Sequence, residues 1–136
     1  MSAIRVLLAD DHAPTRGEMR EALEQDERFD VIAEAADGAS AVQAAVRERP
    51  DLCVLDIRMP GTSGIAAARE ISSRLPDTKV VMLTVSVDDD DLLNALRAGA
   101  DGYLLKDIDT TRLPHALYDV IEGRAAIPRL LVARLV

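Results

Sequence analysis

Five polar residues stand at or just after the ends of short apolar runs, where they could act together: Asp10, Asp11, Asp56, Thr84 and Lys106. Three carboxylates that meet within a few ångströms repel one another, so a nearby cation is needed to neutralise them. Mg²⁺ suits such a site because it needs only one or two carboxylates together with water and phosphate oxygens. The sequence therefore predicts a divalent-cation site that handles a phosphoryl group.

The individual side chains fit phosphoryl chemistry. Lys106 could hold a phosphoryl oxygen with its ammonium group, and Thr84 offers a hydroxyl donor. Asp56 is the best nucleophile candidate, because carboxylates form aspartyl-phosphates. Cations beside it would cancel the repulsion between an anionic nucleophile and an anionic donor. A zinc cage is not expected, since the chain has two histidines, His12 and His115, and one cysteine.

Each of these residues taken alone also has a plainer interpretation. An aspartate after a strand usually caps a helix or forms a turn. A threonine at a strand end usually bonds to backbone, and a lone lysine is usually solvated. The acidic run Asp88–Asp91 is expected to be a favourable charge cluster at a helix N-terminus. A shared site is favoured because all five residues fall at strand ends.

The apolar pattern predicts the elements that must position this set. Runs rich in branched residues indicate five strands buried on both faces of a sheet, at Ile4–Ala9, Val31–Ala35, Leu52–Leu55, Val80–Leu83 and Gly102–Leu105. Helical spacing between the strands predicts five helices. The first begins near Pro14, the second follows Asp37, the third runs through Ile65–Leu75, the fourth begins within Asp88–Asp91 and the fifth runs from Leu113. Val46 and Leu93 are expected to face inward. The prediction is an α/β fold, a doubly wound parallel sheet whose functional groups collect at the carboxyl ends of its strands.

Composition narrows the functional class. A chain of 136 residues with 49% hydrophobic and 29% charged residues fits one globular domain. Its net charge of −8 and its 2% aromatic content disfavour binding to nucleic acid or to an anionic membrane. Cys53 is the one cysteine, so no internal disulfide forms. With neither a signal peptide nor an apolar span in the sequence, we expect a cytoplasmic protein.

Four motifs follow one another along the chain: VLLADD from Val6, LDIRMPGTSG from Leu55, MLT from Met82 and GADGYLLK from Gly99. In this order they resemble the receiver domain of bacterial two-component response regulators, over about residues 3–123. Asp107 after the last motif, and the segment that starts at Gly123, resemble the NarL/FixJ subfamily with its LuxR-type helix-turn-helix output domain. The resemblance implies a flavodoxin-like, five-stranded parallel sheet in the order 2-1-3-4-5 with five helices.

The resemblance also implies which residues form the metal site. Asp56 would be the phosphoacceptor. The Mg²⁺ ligands would be Asp10, Asp11, Asp56 and the backbone carbonyl of Arg58, with Asp11 more direct than Asp10.

Three further matched residues would respond to the phosphoryl group. Lys106 would contact it, and Thr84 and Tyr103 would form the switch pair, in which the hydroxyl turns toward the phosphoryl oxygen as the ring rotates inward. Two positions depart from the usual pattern. Asp107 replaces a common proline after the lysine, and Val85 replaces a smaller residue after the threonine.

The implied function is a phosphorylation-controlled switch that catalyses its own phosphotransfer and dephosphorylation without being a turnover enzyme. A sensor histidine kinase or a small phosphodonor would supply the phosphoryl group. The phosphorylated form would dimerise and would reach DNA only through an output domain absent from this chain, with no membrane partner. We expect residues 1–123 to be the receiver domain and residues 124–136, with three arginines and no acid, to begin the linker.

Two other functions remain open from the sequence. A phosphatase with an aspartyl-phosphate intermediate would want a second acid two residues after its nucleophile, and Arg58 occupies that position. A protein-interaction module could keep the same fold without being phosphorylated.

Overall fold

The computed structural model describes residues 2–124 and shows strands and helices alternating along the chain. The strands are β1 (Ile4–Ala9), β2 (Phe29–Ala35), β3 (Leu52–Leu55), β4 (Lys79–Thr84) and β5 (Gly102–Leu105). The helices are α1 (Ala13–Glu24), α2 (Gly38–Glu48), α3 (Gly64–Arg74), α4 (Asp89–Arg97) and α5 (Leu113–Ile121), with a 3₁₀ turn at Thr110–Arg112. Nearly all of the expected linker, residues 125–136, lies outside the described residues.

The five strands form one parallel sheet in the order β2-β1-β3-β4-β5, as expected. The chain crosses from β2 past β1 to β3, so the direction of winding reverses between β1 and β3. In sheets of this kind the crevice for ligands lies outside the carboxyl ends of the strands at that reversal. Within residues 2–124, every helix is too short or too polar to traverse a lipid bilayer.

Apolar side chains form one core layer on each face of the sheet. One layer joins the strands to α1 and α5, and the other joins them to α2, α3 and α4. The expectation that Val46 and Leu93 face inward is wrong, since each is 37% exposed. Successive side chains on a helix point about 100° apart. Ala45 and Leu92 are fully buried against the sheet, so the residues that follow them, Val46 and Leu93, point away from it.

The helices begin where side-chain caps are available. Asp37 accepts a hydrogen bond from the Ser40 N–H, which confirms it as the cap of α2. Asp88 accepts one from the Asp90 N–H, and the next three aspartates lie in the first turn of α4. The acidic run thus stabilises a helix N-terminus, as predicted.

Cys53 lies at the centre of the sheet and is expected to be unreactive toward alkylating agents in the folded protein. Its side chain is fully buried in β3, and burial raises the pKa of its thiol from 9.0 to about 12. The folded thiol therefore holds its proton more tightly than the unfolded one. Above pH 9.0 the thiol of the unfolded chain ionises while that of the folded chain does not, which favours unfolding. The contribution of the Cys53 thiol to the free energy of unfolding is therefore fully present below pH 9.0 and is lost as the pH rises toward about 12.

Iodoacetamide labelling followed by intact mass checks this prediction. At pH 8 the native chain should stay unlabelled, while the chain unfolded in urea should gain one adduct. Equal labelling rates in the two states would contradict the burial of Cys53.

Candidate functional site

The sheet ladder continues one residue beyond three of its strands and fixes the backbone of the candidate site. The amide of Asp10 donates to the last carbonyl of β2 at 3.0 Å, and that of Asp56 donates to the last carbonyl of β1 at 2.9 Å. The amide of Lys106 donates to the last carbonyl of β4 at 2.8 Å. These three side chains therefore start from the same edge of the sheet, as the sequence predicts.

Lys106 joins two of the predicted carboxylates. Its Nζ lies 2.7 Å from Oδ2 of Asp10 and 2.9 Å from Oδ2 of Asp56. Asp10 is fully buried and the Asp56 side chain is 9% exposed, so the surroundings screen these charges weakly. Burial by itself lowers the pKa of Lys106, but the close contacts with the Asp10 and Asp56 carboxylates outweigh it and leave that pKa raised. The lysine is therefore a permanent ammonium at the carboxylates.

Three carboxylates share this position. Asp10, Asp11 and Asp56 each offer an oxygen, and these oxygens lie within 4.8 Å of one another. Oδ1 of Asp10 accepts a hydrogen bond from the His12 N–H at 2.9 Å. Oδ2 of Asp10 contacts Lys106 but has no donor aligned for a hydrogen bond among the described residues. One ammonium leaves excess negative charge and an under-satisfied buried oxygen, and both features suit a hard divalent cation.

The loop between β3 and α3 borders the carboxylates. It carries Arg58, whose side chain is 70% exposed and whose Nη2 lies 3.4 Å from Oδ2 of Asp91. The Gly64 N–H closes the loop by donating to the carbonyl of Ile57 at 2.8 Å. An open groove of about 610 Å³ lies here, with Asp11 in its wall, so solvent and small ions reach the exposed carboxylate.

Thr84 and Tyr103 are both fully buried, and both bond to the same residue, Ser86. The Ser86 N–H donates to Oγ1 of Thr84 at 3.3 Å, and the Tyr103 hydroxyl donates to the Ser86 carbonyl at 3.1 Å. The structure thus links the predicted switch pair through a residue to which the sequence analysis gave no role. A serine between two valines carries no signal for that role, because both of these bonds use its backbone.

Comparison with known proteins gives a consistent result. The family model described as "Response regulator receiver domain" matches residues 6–118. The chain is 38% identical over 132 residues to the "DNA-binding transcriptional activator DevR/DosR" of Mycobacterium tuberculosis, covering 97% of this chain and 61% of that protein. It is 38% identical over 134 residues to the "Oxygen regulatory protein NreC" of Staphylococcus epidermidis, covering 98% and 62%. The chain therefore spans about three fifths of the length of these curated relatives.

Solved structures agree with the sheet order and the element packing. The receiver domain of the putative response regulator NarL from Mycobacterium tuberculosis has a TM-score of 0.87 at 34% identity, covering 91% of this chain and all of that one. A LuxR-family two-component response regulator from Aurantimonas has a TM-score of 0.90 at 32% identity, covering 97% and 94%. The isolated receiver domain of RcsB from Salmonella enterica serovar Typhimurium, solved with the phosphomimetic BeF₃⁻, has a TM-score of 0.86 at 27% identity and covers 99% of each chain. Given the match to the family model over most of its length, this chain belongs to the response regulator receiver domain family.

Proposed function

We propose that this chain is a phosphorylation-controlled signalling switch whose phosphoacceptor is Asp56. The observation that carries the proposal is the position of Lys106, whose Nζ lies between Oδ2 of Asp10 and Oδ2 of Asp56. This arrangement puts a fixed positive charge beside a carboxylate that faces a cluster of like charges. The match to the receiver family supports the same assignment.

In the proposed transfer, an Asp56 carboxylate oxygen attacks the phosphorus of the donor and forms an acyl phosphate. The bond between phosphorus and the leaving group breaks, and its electron pair departs with the leaving group, acetate in the case of acetyl phosphate. No proton has to be removed from the nucleophile, because it is already a carboxylate. Lys106 would hold a phosphoryl oxygen throughout, and the Thr84 hydroxyl would donate to another.

The residues around Asp56 fit a bound Mg²⁺. Asp10, Asp11, Asp56 and the backbone carbonyl of Arg58 would hold it, and the buried, under-satisfied Oδ2 of Asp10 supports this assignment. Bound there, the ion would supply positive charge that offsets the charge of the phosphoryl oxygens.

We also propose that the domain catalyses its own dephosphorylation. Water would attack the phosphorus, the bond between phosphorus and the Asp56 oxygen would break, and inorganic phosphate would leave. The carboxylate would then return to its starting state. The chain would thus be a signalling protein that limits the lifetime of its own phosphorylated state, and not an enzyme that turns over an external substrate.

The proposed partners follow from the family and the relatives. A sensor histidine kinase in the cytoplasm would be the phosphodonor, and the phosphorylated form would pair with a second copy. The pairing face would be built from α4, β5 and α5, or from α1 and α5. Contact with DNA would require an output domain joined through residues 124–136, and the naming of the DevR/DosR relative as a DNA-binding activator supports that arrangement.

Intact mass after incubation with acetyl phosphate and Mg²⁺ tests the phosphoacceptor. We expect one phosphoryl adduct, and we expect no adduct in Asp56→Asn or when Mg²⁺ is removed. Asp51→Asn is the matched control, because Asp51 precedes the opposite end of the same strand, β3, and its variant should keep the adduct.

Two other results would contradict the proposal. A wild-type chain that takes no adduct from any phosphodonor would be a protein-interaction module. Steady release of phosphate from a generic phosphate ester would indicate a phosphatase.

A further inference from the structure

The loop between β4 and α4 is anchored by one buried residue. Ser86 is 8% exposed, while Val85 and Val87 on either side of it are 72% and 43% exposed. Apolar burial therefore contributes little to fixing this loop. The hydrogen bonds that Ser86 makes therefore help to fix its conformation.

Every polar atom of Ser86 is bonded. Its N–H donates to Oγ1 of Thr84, and its carbonyl accepts from the Tyr103 hydroxyl. Its own hydroxyl donates to Oδ2 of Asp91 at 2.6 Å and accepts from the Asp88 N–H at 3.2 Å. The bond to Asp91 is short and involves a charged acceptor, which makes it the strongest of the four.

Asp91 differs from its acidic neighbours on α4. Asp88 caps the helix, and Asp90 is exposed, whereas the Asp91 side chain is 21% exposed and turns toward Ser86. Asp91 thereby ties the loop to the first turn of α4. Its contact with Arg58 at 3.4 Å is longer and more exposed, and contributes less.

We infer that Asp91, acting through Ser86, is a positioning residue for Thr84 and Tyr103. A threonine hydroxyl has one proton and two lone pairs, so the bond from the Ser86 N–H occupies a lone pair and leaves the proton free to be donated. Holding Ser86 in place therefore keeps Thr84 ready to donate to a phosphoryl oxygen. It also keeps an acceptor in place for the buried Tyr103 hydroxyl. The part of this inference that concerns Thr84 rests on the proposed function.

Tyrosine fluorescence tests the positioning without any phosphorylation. The chain has no tryptophan and two tyrosines, so in a Tyr118→Phe background the emission comes from Tyr103 alone. In that background, Asp91→Ala and Ser86→Ala should raise the acrylamide quenching constant of Tyr103 toward its value in the unfolded chain. Asp90→Ala, which removes an equal charge from the same helix turn, should leave the constant unchanged. Unchanged quenching in both test variants would overturn the inference.

Phosphorylation kinetics with acetyl phosphate test the effect on Thr84. Asp91→Ala and Ser86→Ala should each slow adduct formation by about tenfold, as the loss of a hydrogen bond to a charged group predicts. The double variant should be no slower than either single variant, and the Mg²⁺ concentration for half-maximal rate should stay at the wild-type value. General loss of structure would shift that concentration, so the two explanations separate.

Several outcomes would count against the inference. Additive effects in the double variant, or an equal loss in Asp90→Ala, would overturn it. Ser86→Ala removes only a hydroxyl, so it gives a folded test protein even where Asp91→Ala unfolds. If the wild-type chain takes no phosphoryl group, the proposed function fails on its own, and the quenching series still decides whether Asp91 positions Tyr103.

Discussion

Replacing Lys106 by methionine is expected to abolish most phosphoryl acceptance and to destabilise the metal-free protein. The ammonium lies 2.7 Å from Asp10 and 2.9 Å from Asp56, and both carboxylates are almost fully buried. Removing the shared cation leaves them uncompensated, and breaking a buried ion pair of this kind costs about 3 kcal/mol or more in the free energy of unfolding. Loss of one charge that stabilises the transferring group should slow adduct formation by about 100-fold.

Urea unfolding and acetyl phosphate labelling measure the two effects. Lys79→Met is the matched control, because Lys79 begins β4 at the opposite end of the sheet. Its variant should unfold at the wild-type urea concentration and should form the adduct within about twofold of the wild-type rate. Mg²⁺ should restore more stability to Lys106→Met than to the wild type, since the ion would replace the missing positive charge. A variant of Lys106 as stable and as reactive as the wild type would rule out the proposed role.

Replacing Gly64 by alanine should damage the fold more than any change at the surface. A Cβ on Gly64 would lie 1.8 Å from the carbonyl oxygen of Asp56 and 2.7 Å from its carbonyl carbon. Both contacts are with backbone, which cannot move aside without shifting Asp56, the proposed phosphoacceptor. We therefore expect the free energy of unfolding to fall by about 4 kcal/mol or more. The β3–α3 loop and α3 should lose their order first, because Gly64 begins α3.

Gly17→Ala provides the contrast. Gly17 lies inside α1, and a Cβ there would meet no atom within 4 Å. Alanine has the higher helix propensity, so this variant should gain about 1 kcal/mol. Thermal unfolding of both variants checks the pair. Equal effects in the two would show that the close approach of Gly64 to Asp56 is not a constraint.

The sequence analysis predicted the strands and the polar residues at their ends because those depend on local pattern. The bounds of β1, β3 and β5 match, and Asp10, Asp11, Asp56 and Lys106 converge as expected. The order of the strands depended on the resemblance, since strand spacing along the chain does not fix which strands are neighbours. The phosphoryl and switch roles of Thr84 and Tyr103 stay predictions.

Other features lay beyond the reach of sequence patterns. The exposure of Val46 and Leu93 depends on the width of the helix face that the sheet covers, which is a property of packing. The four hydrogen bonds of Ser86 depend on where its carbonyl, amide and hydroxyl lie in one loop conformation. The spacing of residue types along the chain does not predict such a loop conformation.

The two halves of the site differ in stiffness. Asp10, Asp56 and Lys106 extend from backbone that is still paired in the sheet, so their main chain moves only as the sheet moves. The backbone of Thr84 and Tyr103 is also paired in the sheet, but their side chains bond to Ser86 in the β4–α4 loop, and this loop can rearrange without separating any strand. A chemical change at Asp56 would therefore leave the rigid half in place. The resulting displacement would concentrate at Ser86 and the amino end of α4, close to the proposed phosphoacceptor.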